Sequence, residues 1–227
     1  MISDRIQEVY ANIEKCALQA GRDPQEITLV AVTKTKPVSV IEEAYDAGLK
    51  VFGENRVQEF LEKKDALPAD VKWNLIGRLQ TNKVKYIINN IWMLHSLDRL
   101  SLAEEIEKQC KNKDCNMRVL LQVNVAGEDT KAGFSPAEIM DAAEKIARLK
   151  RIRVEGLMTI APYTDDKNYL RKVFAQTRKI YEKIADERFE GFDLKYLSMG
   201  MSNDYCEAVL EGANMLRVGT AIFGDRG

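Results

Sequence analysis

Lys34 follows the apolar run Ile27-Thr28-Leu29-Val30-Ala31-Val32, with Thr33 between, and Pro37 stands three residues further on. A lysine at the end of a buried strand must pair its ammonium, lower its pKa or react. An amine held there can form a Schiff base with a carbonyl compound. The position equally suits a lysine whose stem covers apolar surface while its ammonium stays in water. A second group of residues has anion chemistry. In Ser198-Met199-Gly200-Met201-Ser202-Asn203, Gly200 lets the backbone turn closely and Ser202-Asn203 begin a helix with free N–H groups. Gly219-Thr220 add a second close-approach backbone and a hydroxyl. Turns and an ordinary helix cap would use the same residues. Arg217 lies between apolar Leu216 and Val218, so strand alternation aims it away from whatever they pack on. It could hydrogen-bond a ring nitrogen or a phosphate, or pair with a barrel glutamate. A lysine amine, a phosphate cradle and an arginine together suggest pyridoxal phosphate, whose aldehyde meets the amine while its phosphate anchors the other end. An arginine at the pyridine nitrogen leaves it unprotonated and weakens carbanion stabilisation.

These residues need a frame that brings them together. The first helix is expected from Ser3 or Asp4 to Ala20, with Ile6, Val9, Ile13 and Cys16 on one face. Strands are then expected at 27–32, 50–53, 71–76, 91–94, 117–125, 154–160, 194–199 and 215–218. Helical patterns alternate with them, and Ser135-Pro136 give one such helix a cap and a first-turn proline. No Pro- or Gly-rich linker interrupts the series. Strict alternation implies parallel strands with right-handed crossovers. The fold class expected is therefore α/β: a single (β/α)8 TIM barrel over residues 1–227 with an extra N-terminal helix. A dinucleotide-binding open sheet would want G-x-G-x-x-G after its first strand, and this chain has none there. In a barrel the site lies at the carboxyl ends of the strands, and phosphate sites recur after strands seven and eight.

Composition narrows the function. The 227 residues carry 34 basic and 35 acidic side chains, for a formal net charge of -1, and no block of one sign stands out. A nucleic-acid face is not expected. The chain opens Met-Ile-Ser-Asp-Arg into a charged amphipathic helix, without a signal-peptide core or a spanning segment, so a cytoplasmic protein off the membrane is expected. The cysteines Cys16, Cys110, Cys115 and Cys206 form no C-x-x-C pair and have one histidine, His95, to join them. Free thiols and no metal site are the expectation.

The chain resembles the pyridoxal-phosphate homeostasis proteins (the YggS/PROSC family), whose fold is like the barrel domain of alanine racemase. The resemblance covers nearly the full length. It rests on Ala31-Val32-Thr33-Lys34-Thr35-Lys36-Pro37, Phe52-Gly53-Glu54-Asn55 and Ile76-Gly77-Arg78-Leu79-Gln80. It continues in His95-Ser96-Leu97-Asp98, Ser198 to Asp204, and Arg217 to Gly224. It implies that Lys34 carries pyridoxal 5'-phosphate as a Schiff base, with Asn55 near the cofactor and Arg217 at the pyridine nitrogen. It further implies that Ser202, Gly219 and Thr220 hold the phosphate, and that Met201 and Ser198 line the pocket. Two positions depart from the family pattern: Asn74 stands where histidine is usual, and Arg78 where histidine or proline is frequent.

The resemblance implies a protein that buffers or delivers the cofactor, with PLP-dependent apo-enzymes as possible recipients, a monomer favoured over a dimer, and no catalytic residues. A racemase-like enzyme is the alternative. Two-base racemisation needs an acid/base on each face of the bound substrate. Alanine racemases bring the second from a β-rich domain, and after the eighth strand and its closing run Gly219 to Phe223 only Gly224-Asp225-Arg226-Gly227 are read here. A class I aldolase using Lys34 is a third reading.

Overall fold

A computed structural model describes residues 1–128 and 131–224. Eight parallel strands close into a barrel in sequence order. They are β1 (Thr28–Val32), β2 (Val51–Glu54), β3 (Lys72–Leu75), β4 (Met93–Leu97), β5 (Met117–Gln122), β6 (Ile152–Met158), β7 (Phe192–Ser198) and β8 (Met215–Val218). Closure comes from β1 pairing with β8, Thr28 opposite Met215 through Ala31 opposite Val218. The α/β barrel expected from the alternation of patterns is thus the observed architecture.

Nine helices are described: α1 (Ile2–Gln19), α2 (Val38–Asp46), α3 (Val57–Lys63), α4 (Val84–Ile87), α5 (Leu100–Asn112), α6 (Ile139–Ala147), α7 (Lys167–Glu187), α8 (Tyr205–Leu210) and α9 (Thr220–Phe223). The helix expected to run through Ile88 is broken into a 3-10 turn, Thr81–Lys83, and the short α4. The helix expected from Ser135 becomes regular only at Ile139. Its entry is fixed by a reciprocal pair: Glu138 N–H donates to Ser135 Oγ at 3.3 Å, and Ser135 N–H to the Glu138 carboxylate at 3.2 Å. The four-residue α9 was not anticipated, because Gly219 to Gly224 read as a glycine-bounded loop.

Alternation along each strand separates two cores. Val30, Met93, Leu120, Met158 and Met215 fill the barrel interior. Leu29, Ala31, Leu216 and Val218 face outward into the larger cluster that the helices cover. Each such fully buried large aliphatic side chain contributes about 1.5–3 kcal/mol. Trp92 and Tyr196 pack edge to face against the interior cluster, and the Arg118 guanidinium lies 4.3 Å from the Trp92 ring centroid. The interior is therefore a packed plug rather than a channel, which leaves the strand ends to form the site.

Helix α1 lays Ile6, Val9, Ile13, Cys16 and Ala17 against the body of the protein. Arg22, just beyond it, donates to the carbonyls of Val209 and Ala213 at 2.8 Å each, holding the end of α8. This packing corrects the expectation of four free thiols. Cys16 of α1 and Cys206 of α8 are joined as a disulfide, their Cα atoms 5.5 Å apart, the usual spacing for such a bond. The sequence reading missed the pair because 190 positions separate the two residues. Cys110 and Cys115 remain thiols, and burial beside Cys115 pushes the Cys110 thiol up to about 12.

The loop expected over 126–133 includes Asp129 and Thr130, which lie outside the described residues, as do the last three residues of the chain. Among the described residues no helix is long and apolar enough to cross a membrane.

Candidate functional site

The carboxyl ends of the strands surround one cavity of about 1190 Å³. Lys34, Asn55, Met201, Ser202, Arg217, Gly219 and Thr220 all line it. Seven of the eight site residues inferred from the sequence are therefore brought to one wall system from β1, β2, β7 and β8. The eighth, Ser198, is fully buried behind that wall.

Lys34 stands two residues past β1 and is half-buried at the cavity. Among the described residues no hydrogen-bond or ion-pair partner meets its ammonium. The neighbouring Lys36 behaves differently: its Nζ donates to the carbonyls of Phe223 and Gly224 at 3.2 and 3.4 Å, tying the first loop to the end of α9. Nearly the whole chain separates these residues in sequence, so no local pattern marks the contact.

Asn55 follows β2, and its position depends on Gly77. A Cβ at residue 77 would lie 2.2 Å from the Asn55 carbonyl oxygen, so only glycine allows the two loops to meet. Arg78, next along, also lines the cavity, and its Nε donates to Asp98 Oδ2 at 3.0 Å. This charge was expected at the mouth; its tether to Asp98 was not. Gln122, Lys131 and Tyr163 complete part of the opposite rim. They sit on or beside long irregular loops, where no periodic pattern marks a lining residue.

On the other side the backbone is arranged for an anion. Gly219 N–H and Ala221 N–H both point to Ser202 Oγ, at 3.3 and 3.4 Å. Gly200 has φ +93 and packs so closely on α8 that a Cβ would fall 2.7 Å from the Ala208 Cβ. That contact sets the path of Met201 and Ser202. The Asp204 carboxylate accepts from Met201 N–H and fixes the turn from below. Two amides and a hydroxyl thus converge at the start of α9, the donor set a phosphate requires.

Arg217 reaches the cavity from the barrel interior, as alternation required. It is buried, and that burial lowers its pKa to about 10, opposed by the charge of Asp204. No barrel glutamate pairs with it among the described residues. Its Nη2 donates to the Thr159 carbonyl at 2.8 Å and its Nη1 to Ser198 Oγ at 2.7 Å. Ser198 also lies 3.2 Å from His95 Nδ1, and His95 Nε2 lies 3.0 Å from Asn74 Oδ1. Ser198 therefore acts on Arg217 from behind rather than as a wall of the pocket. His95 is fully buried and belongs to the same hydrogen-bonded series.

An amine with no partner among the described residues, an anion cradle and a rigidly held cation share one cavity. This donor set fits a planar ligand with an aldehyde at one end, a ring nitrogen and a phosphate at the other. Pyridoxal phosphate has that constitution.

The comparisons with known proteins agree with this geometry. The family model described as alanine racemase, N-terminal domain, matches residues 5–227. A pyridoxal phosphate homeostasis protein from Aquifex aeolicus is 43% identical over 224 residues, covering 98% of this chain and 97% of that protein. The structure of PipY from Synechococcus elongatus with PLP bound superposes with a TM-score of 0.86 at 33% identity, covering 99% of this chain and 100% of that one. An alanine racemase from Clostridium difficile shares the fold, with a TM-score of 0.78 at 18% identity over 98% of this chain and 57% of its own.

Proposed function

The chain belongs to the family of pyridoxal phosphate homeostasis proteins, and from that premise we propose that it binds pyridoxal 5'-phosphate at the cavity on Lys34 and holds it for intracellular use. The observation that carries this reading is the shared cavity. Lys34, without a partner among the described residues, and the amides of Gly219 and Ala221, converging on Ser202, open onto the same space. When bound, pyridoxal phosphate supplies an aldehyde that condenses with a primary amine.

The residues of the chain then have separate tasks. Lys34 provides the amine for covalent capture. Ser202, Gly219 and Thr220 receive the phosphate, and Asn55 and Met201 bound the ring. Arg217 presents a fixed cation to the ring nitrogen, and Ser198 keeps its guanidinium in place. A cation at that nitrogen holds off a proton, and the ring then stabilises a carbanion poorly. Such a site suits storage and release better than turnover, so the protein is read as a carrier and not a racemase.

Residues 1–227 are read as one cofactor-binding unit, cytoplasmic and monomeric, with apo-enzymes that need the cofactor as recipients and no nucleic-acid partner.

The test is the absorbance spectrum of the purified protein after incubation with pyridoxal phosphate, for wild type and Lys34→Ala, before and after borohydride. A yellow band that borohydride bleaches, and that the variant lacks, is expected. A protein that stays colourless, or a band unchanged in Lys34→Ala, would overturn the assignment. Amino-acid racemisation measured on the same sample is expected to stay at background.

A further inference from the structure

The turn that carries Lys34 is strained, and it is held by residues that do not touch the cavity. Lys36 N–H donates to the Thr33 carbonyl at 3.0 Å, so Thr33 to Lys36 form a four-residue turn with Lys34 and Thr35 at its centre. Thr35 has φ +63. A positive φ at the third turn position normally calls for glycine or asparagine, and for a β-branched residue it is a genuine outlier. Strain of this kind persists only where the surroundings over-determine it.

The surroundings here are an ionic cluster from β2 and α3, buried at Glu54 and Lys63 and partly exposed at Glu59. Thr35 N–H donates to Glu59 Oε2 at 2.7 Å. Lys63 Nζ donates to the Thr33 carbonyl at 3.0 Å, to Glu54 Oε1 at 2.7 Å and to Glu59 Oε2 at 3.5 Å. An ammonium has three protons, and all three of these are used. The Thr33 hydroxyl donates to Glu54 Oε1 at 2.5 Å. The backbone on each side of Lys34 is thus pinned, by Lys63 and Glu54 before it and by Glu59 after it. Glu54 is fully buried, and among the described residues its Oε2 is the one buried side-chain oxygen or nitrogen without a partner. A cluster that leaves a buried carboxylate oxygen unmatched is not optimised for stability alone.

We propose that Glu59 and Lys63, backed by Glu54, are positioning residues for Lys34: they hold the Thr33–Lys36 turn in the strained form that presents the amine to the cavity. This inference rests on the reading of Lys34 as the capturing amine. The cluster acts through the backbone and leaves the phosphate cradle untouched. Its loss should slow covalent capture while sparing ligand recognition.

The experiment compares wild type, Glu59→Ala, Glu59→Gln and the double variant Glu59→Ala/Thr35→Asn. Amide hydrogen exchange at Thr35 is measured first, without ligand. The rate of covalent capture of pyridoxal phosphate follows, and then affinity for pyridoxine 5'-phosphate, which lacks the aldehyde. In Glu59→Ala, Thr35 exchange is expected to rise and capture to slow by about tenfold or more, as small misplacements of a reacting group do. Pyridoxine 5'-phosphate affinity should stay within about twofold, because no interaction with that ligand is removed. Glu59→Gln keeps an oxygen for the Thr35 N–H and should retain most of the rate. Asparagine at 35 tolerates the positive φ and should restore it in the double variant.

Wild-type exchange and capture in Glu59→Ala would overturn the proposal. So would an equal loss of pyridoxine 5'-phosphate affinity, or no recovery in the double variant. If wild-type Lys34 captures no pyridoxal phosphate, the proposed function fails, while the exchange comparison still decides whether Glu59 holds the turn.

Discussion

His95 donates its Nε2 proton to Asn74 Oδ1. The direction is fixed because the Asn74 amide nitrogen already donates to the carbonyls of Phe52 and Lys72, at 3.1 and 3.0 Å, leaving its oxygen to face the ring at 3.0 Å. His95 Nδ1 must then accept from the Ser198 hydroxyl, and Ser198 Oγ accepts from Arg217. With the ring kept neutral by burial and the nearby Arg217 charge, every hydrogen bond in this series has one direction.

A pH dependence follows. Burial, with the nearby Arg217 charge, holds the His95 pKa well below its ordinary 6.5. The unfolded chain therefore takes up a proton near pH 6.5 that the folded chain refuses. Stability is fully present above that pH and falls as pH drops below it, by up to about 1.4 kcal/mol per unit from this group. Denaturant unfolding of wild type and His95→Gln between pH 7.5 and 5 measures it. The variant is expected to be less stable at pH 7.5 but to lose less between the two ends. Equal slopes would show that His95 is not the titrating group.

Ser198→Ala removes both the acceptor for Arg217 Nη1 and the donor to His95 Nδ1. A buried polar group left unsatisfied costs about 1–3 kcal/mol, and a destabilisation of that size is expected in urea. The ligand spectrum should change too, since Arg217 loses the contact that orients it. A variant with wild-type stability and spectrum would remove Ser198 from this role.

Gly77→Ala tests the contact of the second and third loops. Its Cβ would meet the Asn55 carbonyl carbon at 2.9 Å and the oxygen closer still, so the Asn55 backbone must move. Overpacking of this kind costs about 1–3 kcal/mol. Affinity for pyridoxal phosphate should fall with it, because Asn55 is displaced from the cavity wall. Retained affinity in a destabilised variant would take Asn55 out of the site.

The Cys16–Cys206 bond closes most of the chain into one loop. Breaking such a bond typically costs about 2–4 kcal/mol. Urea midpoints of the oxidised protein with and without a dithiol reductant, and of Cys16→Ser, should separate accordingly, and the reductant should have no effect on Cys16→Ser. A wild type whose midpoint ignores the reductant would mean that the bond adds nothing to stability in solution.

The sequence by itself determined the barrel and named most of the residues that the barrel brings to one cavity. Residues such as Val30 and Ala31 announce a strand buried on both faces, and eight such segments alternating with amphipathic helices leave few ways to fold. Once the fold is a barrel, strand ends are candidate site positions, so Lys34, Arg217 and Gly219 could be named from their places in line, and Asn55 from the family resemblance. Local chemistry was enough because each of these residues owes its position to its own strand.

Tertiary structure alone decided the features that join residues far apart in the chain. Ser198 sits behind Arg217 and not on the cavity wall, since the polar chain from Asn74 to Arg217 joins residues of four strands. Lys36 binds the end of α9, and Cys16 meets Cys206, through packing that no spacing rule encodes. Glu59 and Lys63 carry no local signal of their contacts with Thr35 and Thr33, which only the packing of α3 against the first loop brings about. Propensity and periodicity describe a residue and its near neighbours, whereas these contacts depend on how separate elements are set against one another, which closure of the barrel fixes.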